Sequence, residues 1–68
     1  MDFAKKVLEY QQKKLVEAQN KLQSHLDKKE KLKDTGTDKE ITHEEKMIKI
    51  WSTNIEKIKQ AINKLQEK

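Results

Sequence analysis

Two histidines, His25 and His43, are the side chains of this sequence best suited to binding a metal ion or transferring a proton near neutral pH. A helix that holds zinc presents such ligands at a set spacing, as in His-Glu-x-x-His. No such spacing occurs here, and the sequence has no cysteine that could complete a ligand set. We therefore predict no metal site, and we interpret His25 as a residue at the edge of a core and His43 as an exposed helical residue.

Other signatures of catalysis are also missing from the sequence. Gly36 is the only glycine, so there is no glycine-rich loop for a phosphate and no Gly-x-Ser-x-Gly turn for a nucleophile. A short chain of two helices also offers no deep concave pocket. We predict that the protein is not an enzyme and has no catalytic residue, no cofactor and no small-molecule substrate.

The lysines indicate a different chemistry, the binding of nucleic-acid phosphates. Lys14, Lys21 and Lys28 recur every seven residues, so a helix would align them in a row. Such a row could bind the phosphates of a nucleic acid, and this binding would weaken as the salt concentration rises. Lys6 and Lys13 extend this basic surface. Against this interpretation, the sequence has no arginine, the usual reader of bases. Small RNA-binding helical dimers of the Rop type have a comparable shape, and a binder of RNA or DNA is kept as an alternative function.

Helices must position all of these side chains, because proline is absent and the common residues are good helix formers. Turn residues cluster at one place, 34–42. We predict a first helix over about 3–33 and a second helix over about 43–67. Gly36 is expected to end the first helix by taking the left-handed backbone conformation.

The start of the second helix has two candidate caps with the same chemistry. Thr42 and Glu45 have the Thr-x-x-Glu spacing of a capping box, in which each side chain satisfies a backbone amide of the helix end. Thr37 and Glu40 have the same spacing and would start the helix five residues earlier. We prefer Thr42 and keep Thr37 as the alternative.

Apolar residues recur every seven positions in both helices, which predicts that each helix packs along one edge. In the second helix two adjacent series show this period, namely Ile41, Ile48, Ile55 and Ile62 beside Glu44, Trp51, Ile58 and Leu65. The first helix has a less regular pair, namely Leu8, Leu15 and Leu22 beside Ala4, Gln11, Ala18, His25 and Leu32. We predict an all-α fold, an antiparallel two-helix hairpin.

The apolar edge of the second helix is wide, and a chain of 68 residues buries little surface alone. We therefore predict a homodimer that forms a four-helix bundle, with other oligomers or a partner helix as alternatives. The expected interface consists of Leu8, Leu15, Leu22, Ile48, Trp51, Ile55, Ile58, Ile62 and Leu65. Residues 1–14 and 57–68 hold eight lysines against three acids, whereas 27–45 holds five against seven. Two hairpins are thus expected to pack with their loops at opposite ends.

Two further apolar clusters lie off the main edge, and contiguous apolar patches often mark contact sites. We interpret Phe3, Val7, Tyr10, Met47 and Ile50 as a possible second partner surface. The function predicted from these patterns is a small protein-interaction module, acting as an adaptor, a chaperone-like protein or a regulator. A coiled-coil component of a larger phage or secretion assembly is a further alternative. No apolar run reaches the roughly 20 residues of a membrane span, and no export signal is seen, so we expect a cytoplasmic protein without a membrane partner.

Overall fold

The computed structural model describes residues 3–67, which form two long α-helices packed against each other. Helix α1 is Phe3–Thr35 and helix α2 is Asp38–Gln66. Because only Gly36 and Thr37 separate them, the chain reverses abruptly and the helices run antiparallel, in a hairpin whose longest extent is 53 Å. The predicted all-α helical hairpin is confirmed.

The reversal is shorter than the sequence indicated. The predicted loop over 34–42 and the preferred helix start after Thr42 are both wrong, because α2 begins at Asp38 with Thr37 as its N-cap. Thr37 Oγ1 accepts a hydrogen bond from the Glu40 amide at 3.2 Å, and the Thr37 amide donates to Glu40 Oε1 at 2.9 Å. The earlier capping box satisfies as many end amides as the later one would, and it also lengthens α2 by more than a turn of hydrogen-bonded backbone.

Gly36 fits the reversal of the chain because it has no side chain. The left-handed conformation predicted for it is wrong, because no residue in 3–67 has a positive φ. A Cβ atom at Gly36 would instead lie 2.6 Å from both Cβ and Cδ2 of Leu32. The Gly36 amide donates to the Leu32 carbonyl at 2.8 Å, so the helical ladder continues to this residue before Thr37 becomes extended. The close approach to Leu32 is therefore the reason for glycine at this position.

The apolar core lies midway along the hairpin. Ala18, Ile55 and Ile58 are buried, with 2%, 6% and 5% of their surfaces exposed. Four partly buried apolar residues pack against them, namely Leu15, Leu22, Trp51 and Ile62. The small side chain of Ala18 lets α1 approach the two isoleucines of α2 closely.

Both heptad series of α2 face α1, and together we call them the seam. All eight members are buried or partly buried, namely Ile41, Glu44, Ile48, Trp51, Ile55, Ile58, Ile62 and Leu65. Because Ile55 and Ile58 are already covered within one chain, the seam is first of all the contact between its own two helices. The role of these residues in an oligomer interface stays a prediction, and a second chain has to use the surface that the seam leaves open.

Candidate interaction face

A groove of about 690 Å³ lies between the two helices on one side of the hairpin. Ala18, Trp51 and Ile58 line it with apolar surface, and Lys14 and Lys21 line it with charged side chains. Its remaining lining residues are Glu17, Asn20, Ser24 and Asn54. An apolar floor with a polar rim is the usual composition of a surface that takes another macromolecule.

Helical spacing explains why these residues meet. Positions 14, 18 and 21 of α1 follow the i, i+4, i+7 rule and therefore form one stripe, and positions 51, 54 and 58 of α2 form another. The antiparallel packing sets the two stripes side by side. Ala18 has too small a side chain to fill the space between them, so the groove stays open above it.

Trp51 belongs both to the core and to the groove. Its ring packs against the buried cluster of Ala18, Ile55 and Ile58, and it also lines the groove. Its indole Nε1 is covered and has no hydrogen-bond partner among the residues that the structure describes. A covered donor without an acceptor costs about 1–3 kcal/mol, so packing must offset that cost. The sequence analysis placed Trp51 in the expected interface, and the structure places it both against the core and in the groove.

One residue of each off-seam apolar cluster lies beside a residue that lines this groove. Tyr10 is 60% exposed, and Lys14, which lines the groove, places its Nζ 5.5 Å from the centre of the Tyr10 ring. Ile50 is 49% exposed and shares a shallow hollow with Asn54, which also lines the groove. We call the set Tyr10, Lys14, Ala18, Lys21, Ile50, Trp51, Asn54 and Ile58 the groove face.

The other residues predicted for a second partner surface differ in exposure. Phe3 is 81% exposed, whereas Val7 and Met47 are partly buried. Val16 and Leu26 are exposed apolar residues that the sequence did not single out. Neither lines the groove, and exposed apolar residues that stand singly carry little meaning.

All five lysines predicted to contact nucleic acid are exposed on α1. Lys14 and Lys21 line the groove, whereas Lys6, Lys13 and Lys28 do not. The carboxylate of Glu17 lines the groove as well, which interrupts the positive surface that a phosphate chain would need. Nucleic-acid binding therefore stays a prediction that the groove only partly favours.

A polar contact joins the helices between the core and the reversal. His25 Nδ1 donates a hydrogen bond to Glu44 Oε1 at 2.6 Å, and their side chains are 15% and 11% exposed. This hydrogen bond from His25 is the main cause that lowers the pKa of Glu44 below its ordinary value of 4.5. Burial opposes the shift by raising the pKa, while the positive charges of His25, His43 and Lys28 assist it.

A second ion pair lies next to this contact. Lys29 Nζ is 3.2 Å from Glu45 Oε2, with both side chains about half exposed. An exposed pair of this kind contributes about 0–1 kcal/mol, so its effect is on register more than on stability. Lys29 interrupts the apolar heptad series of α1, and its contact with Glu45 keeps this position of α1 next to α2.

The sequence placed His25 and Glu44 in the heptad series but did not predict that their side chains contact each other.

Chemical and evolutionary comparisons assign no further site to the described part of the chain. Within residues 3–67, no group of three or more His, Asp or Glu side chains is placed to hold a metal ion. Neither helix of that range contains an apolar stretch that would cross a membrane. No family model, curated protein or solved structure matches the chain. The groove face and the His25–Glu44 contact are therefore the features from which a function can be argued.

Proposed function

We propose that this chain is a small, non-enzymatic protein-interaction module of the adaptor, chaperone-like or regulatory kind, and that it acts through helix–helix contacts. The observation that carries the proposal is the groove face. Tyr10 and Ile50 are 60% and 49% exposed, and each lies beside a residue that lines the groove, whose floor contains Trp51. Exposed aromatic and aliphatic side chains around a pocket are the usual centres of binding energy between proteins.

The hairpin has a core of its own, so these exposed residues are not needed to hold its helices together. Its buried residues, Ala18, Ile55 and Ile58, lie between α1 and α2. A helical partner could dock on the groove face. If that partner is another hairpin, the complex is a four-helix bundle. The residues of the predicted oligomer interface that remain partly exposed would then lose surface to the partner, namely Leu8, Leu15, Leu22, Ile48, Trp51, Ile62 and Leu65.

The shape of the groove favours a helix as the ligand. It is open along the hairpin and lined by two helical stripes, a form that accepts the apolar face of a third helix. Lys14 and Lys21 can lay their apolar stems along such a partner and keep their ammonium groups in water.

The test compares two substitutions that each replace an exposed apolar residue of α1 with a charge. Tyr10→Glu changes the groove face, and Val16→Glu is the matched control outside it. Size-exclusion chromatography with light scattering gives the mass of the complex, for the purified chain and for extracts of cells that produce it. We expect the wild-type chain and Val16→Glu to be part of a complex larger than one chain, and Tyr10→Glu to dissociate from it with its helix content unchanged. A wild-type chain that elutes alone in both settings contradicts the proposal.

Nucleic-acid binding is the second candidate function, and the exposure of all five lysines is the observation that favours it. A titration with mixed RNA and DNA at low and high salt tests it, with Lys14→Gln and Lys21→Gln combined in one variant. Salt-sensitive binding at micromolar protein that weakens in this variant would support a nucleic-acid binder. The absence of such binding at low salt eliminates this candidate.

A further inference from the structure

We propose that the partner on the groove face is a second copy of this chain, and that the two copies meet through α2 in antiparallel orientation with Asn54 at the two-fold axis. This inference rests on the proposed function and names the partner, the contacting helix and the orientation. It follows from the pattern of one stripe of α2, from the charges at the two ends of the hairpin, and from the size of the face.

The stripe of α2 that borders the groove is nearly symmetric about its centre. Its members follow helical spacing and are Met47, Ile50, Trp51, Asn54, Ile58, Ala61 and Leu65. Asn54 is the one polar residue, with three apolar residues before it and three after it. Except for the buried Ile58, each member keeps some exposed surface in the single hairpin, and Ile58 still lines the groove.

An antiparallel copy of this stripe matches the stripe itself. With the axis at Asn54, level positions of the two copies sum to 108, so Met47 of one chain lies level with Ala61 of the other, and Trp51 lies within one helical rise, about 1.5 Å, of Ile58. A large side chain therefore meets a smaller one at each level, which is the condition for close helix packing. A symmetric contact of this type uses the same patch on both copies.

Asn54 gives the contact its register. Two Asn54 side chains that face each other across the axis can exchange hydrogen bonds between their amide groups. A shift by one heptad would place each amide against apolar surface, which costs free energy because the polar group would lose its partner. A single asparagine in an apolar helix contact is known to select one register and orientation in this way.

The charges favour the same orientation. At the open end of the hairpin, residues 3–14 and 57–67 hold seven lysines against two glutamates, a balance of +5. Near the reversal, residues 27–45 hold five lysines against seven acids, a balance of −2. Antiparallel copies place the basic end of each against the acidic end of the other, whereas parallel copies would place the two basic ends together.

The size of the face is sufficient for a stable dimer. The hairpin is 53 Å long and 14 Å wide, so one face has an area of about 740 Å² and two such faces have about 1,500 Å². Stable protein interfaces bury about 1,200–2,000 Å² in total. A second copy that extends from α2 over most of this face would therefore bury an area within this range.

Disulfide cross-linking tests the orientation directly, because the chain has no cysteine of its own. Asn54→Cys would place two thiols at the proposed axis, and Ser52→Cys, on the exposed opposite side of the same helix, is the matched control. In a glutathione buffer we expect Asn54→Cys to form a two-chain disulfide at least tenfold faster than Ser52→Cys. Equal rates for the two variants overturn the inference.

A mixture of two further variants separates antiparallel from parallel copies. Met47→Cys and Ala61→Cys together should give the mixed disulfide, while each alone should give little, because each position lies seven residues from the axis and therefore about 21 Å from its own copy in antiparallel helices. Self-linking of Met47→Cys would show parallel copies and overturn the inference. That result would leave the proposed function in place, since the groove face would still bind a helix. If no variant forms cross-links but the chain is part of a larger complex in extracts, the inference that the partner is a second copy is contradicted and the proposed function is not.

Discussion

His25 Nδ1 lies 2.6 Å from Glu44 Oε1, and this hydrogen bond joins α1 to α2 between the apolar core and the reversal of the chain. Glu44 is the one polar member of its heptad series, and His25 is one of two polar members, with Gln11, of its own. The pair therefore occupies places where two apolar side chains would otherwise meet. Its pairing satisfies both groups, and removing one partner would leave the other without its hydrogen bond in a mostly covered position.

Acid should weaken the hairpin through Glu44. The pKa of this carboxyl is lowered in the folded chain, chiefly by the hydrogen bond from His25. A lowered folded pKa means that the ionised carboxylate stabilises the fold above pH 4.5, and that this contribution is lost as the pH falls through the folded pKa. Thermal unfolding followed by circular dichroism from about pH 6 to about pH 2 should show this loss.

The matched variant for this measurement is Glu44→Gln, which keeps the shape of the side chain and removes its titration. We expect it to be less stable than wild type near pH 6 and to lose less stability than wild type on acidification. Glu45→Gln is the control, because Glu45 is more exposed and pairs with Lys29. If Glu44→Gln and wild type show the same pH dependence, Glu44 does not stabilise the fold in its ionised form.

The N-cap of α2 gives a prediction with an internal control. Thr37→Ala removes the acceptor for the Glu40 amide and should lower the free energy of unfolding by about 1 kcal/mol. Thr42 has the same residue type and the same Thr-x-x-Glu spacing but lies inside the helix, so Thr42→Ala should change it by less than about 0.5 kcal/mol. Urea unfolding measures both. A larger loss for Thr42→Ala than for Thr37→Ala would mean that α2 starts later than the structure shows.

The close approach at the reversal predicts an effect of adding one methyl group. Gly36→Ala would bring a Cβ atom to 2.6 Å from Leu32 Cβ, so the turn has to shift and the free energy of unfolding should fall by about 1–3 kcal/mol. Asp34→Ala is the control on the exposed surface of the last turn of α1. Because the backbone of Gly36 has no positive φ, alanine is not excluded by conformation. A Gly36→Ala chain as stable as wild type would show that the reversal is looser than this contact implies.

The core and the exposed surface should respond differently to truncation. Ile55→Ala empties a buried site and should lower the free energy of unfolding by about 2–5 kcal/mol at any protein concentration. Val16→Ala, at a residue that is 54% exposed, should have an effect within about 0.5 kcal/mol. Chemical unfolding with a fluorescence readout from Trp51 measures both variants. Similar losses for the two would show that Ile55 is not part of the core.

The hairpin could be predicted from the sequence because its signal is repeated. Apolar residues return every seven positions over both helices, and one cluster of turn residues interrupts them. Because the pattern is repeated, a wrong assignment at one position does not change the predicted hairpin. The start of α2 depends instead on a choice between Thr37 and Thr42, which have identical capping chemistry. The earlier cap adds a turn to the helix, and nothing local in the sequence shows how much that turn stabilises the fold.

The contacts between helices could not be predicted in the same way, because they depend on register. The predicted loop over 34–42 sets residues 33 and 42 level, so that His25 would face position 50. The two-residue reversal sets residues 35 and 38 level, so that His25 faces position 48, about half a turn nearer to Glu44. Two long side chains then bridge the remaining distance. The sequence also could not predict that Tyr10 and Ile50 belong to one groove face. Their relative position depends on how each helix is rotated about its own axis when the two pack.

The central claim is that the groove face associates with another helix, and sedimentation equilibrium tests it most directly. Wild-type chain, Ile50→Glu and the control Ser52→Glu are measured from micromolar to millimolar concentration, with circular dichroism to verify that each stays helical. We expect wild type and Ser52→Glu to reach the mass of two chains, and Ile50→Glu to keep the mass of one. Wild-type chain that stays fully helical at the mass of one chain throughout, or Ile50→Glu that associates as wild type does, would contradict the claim.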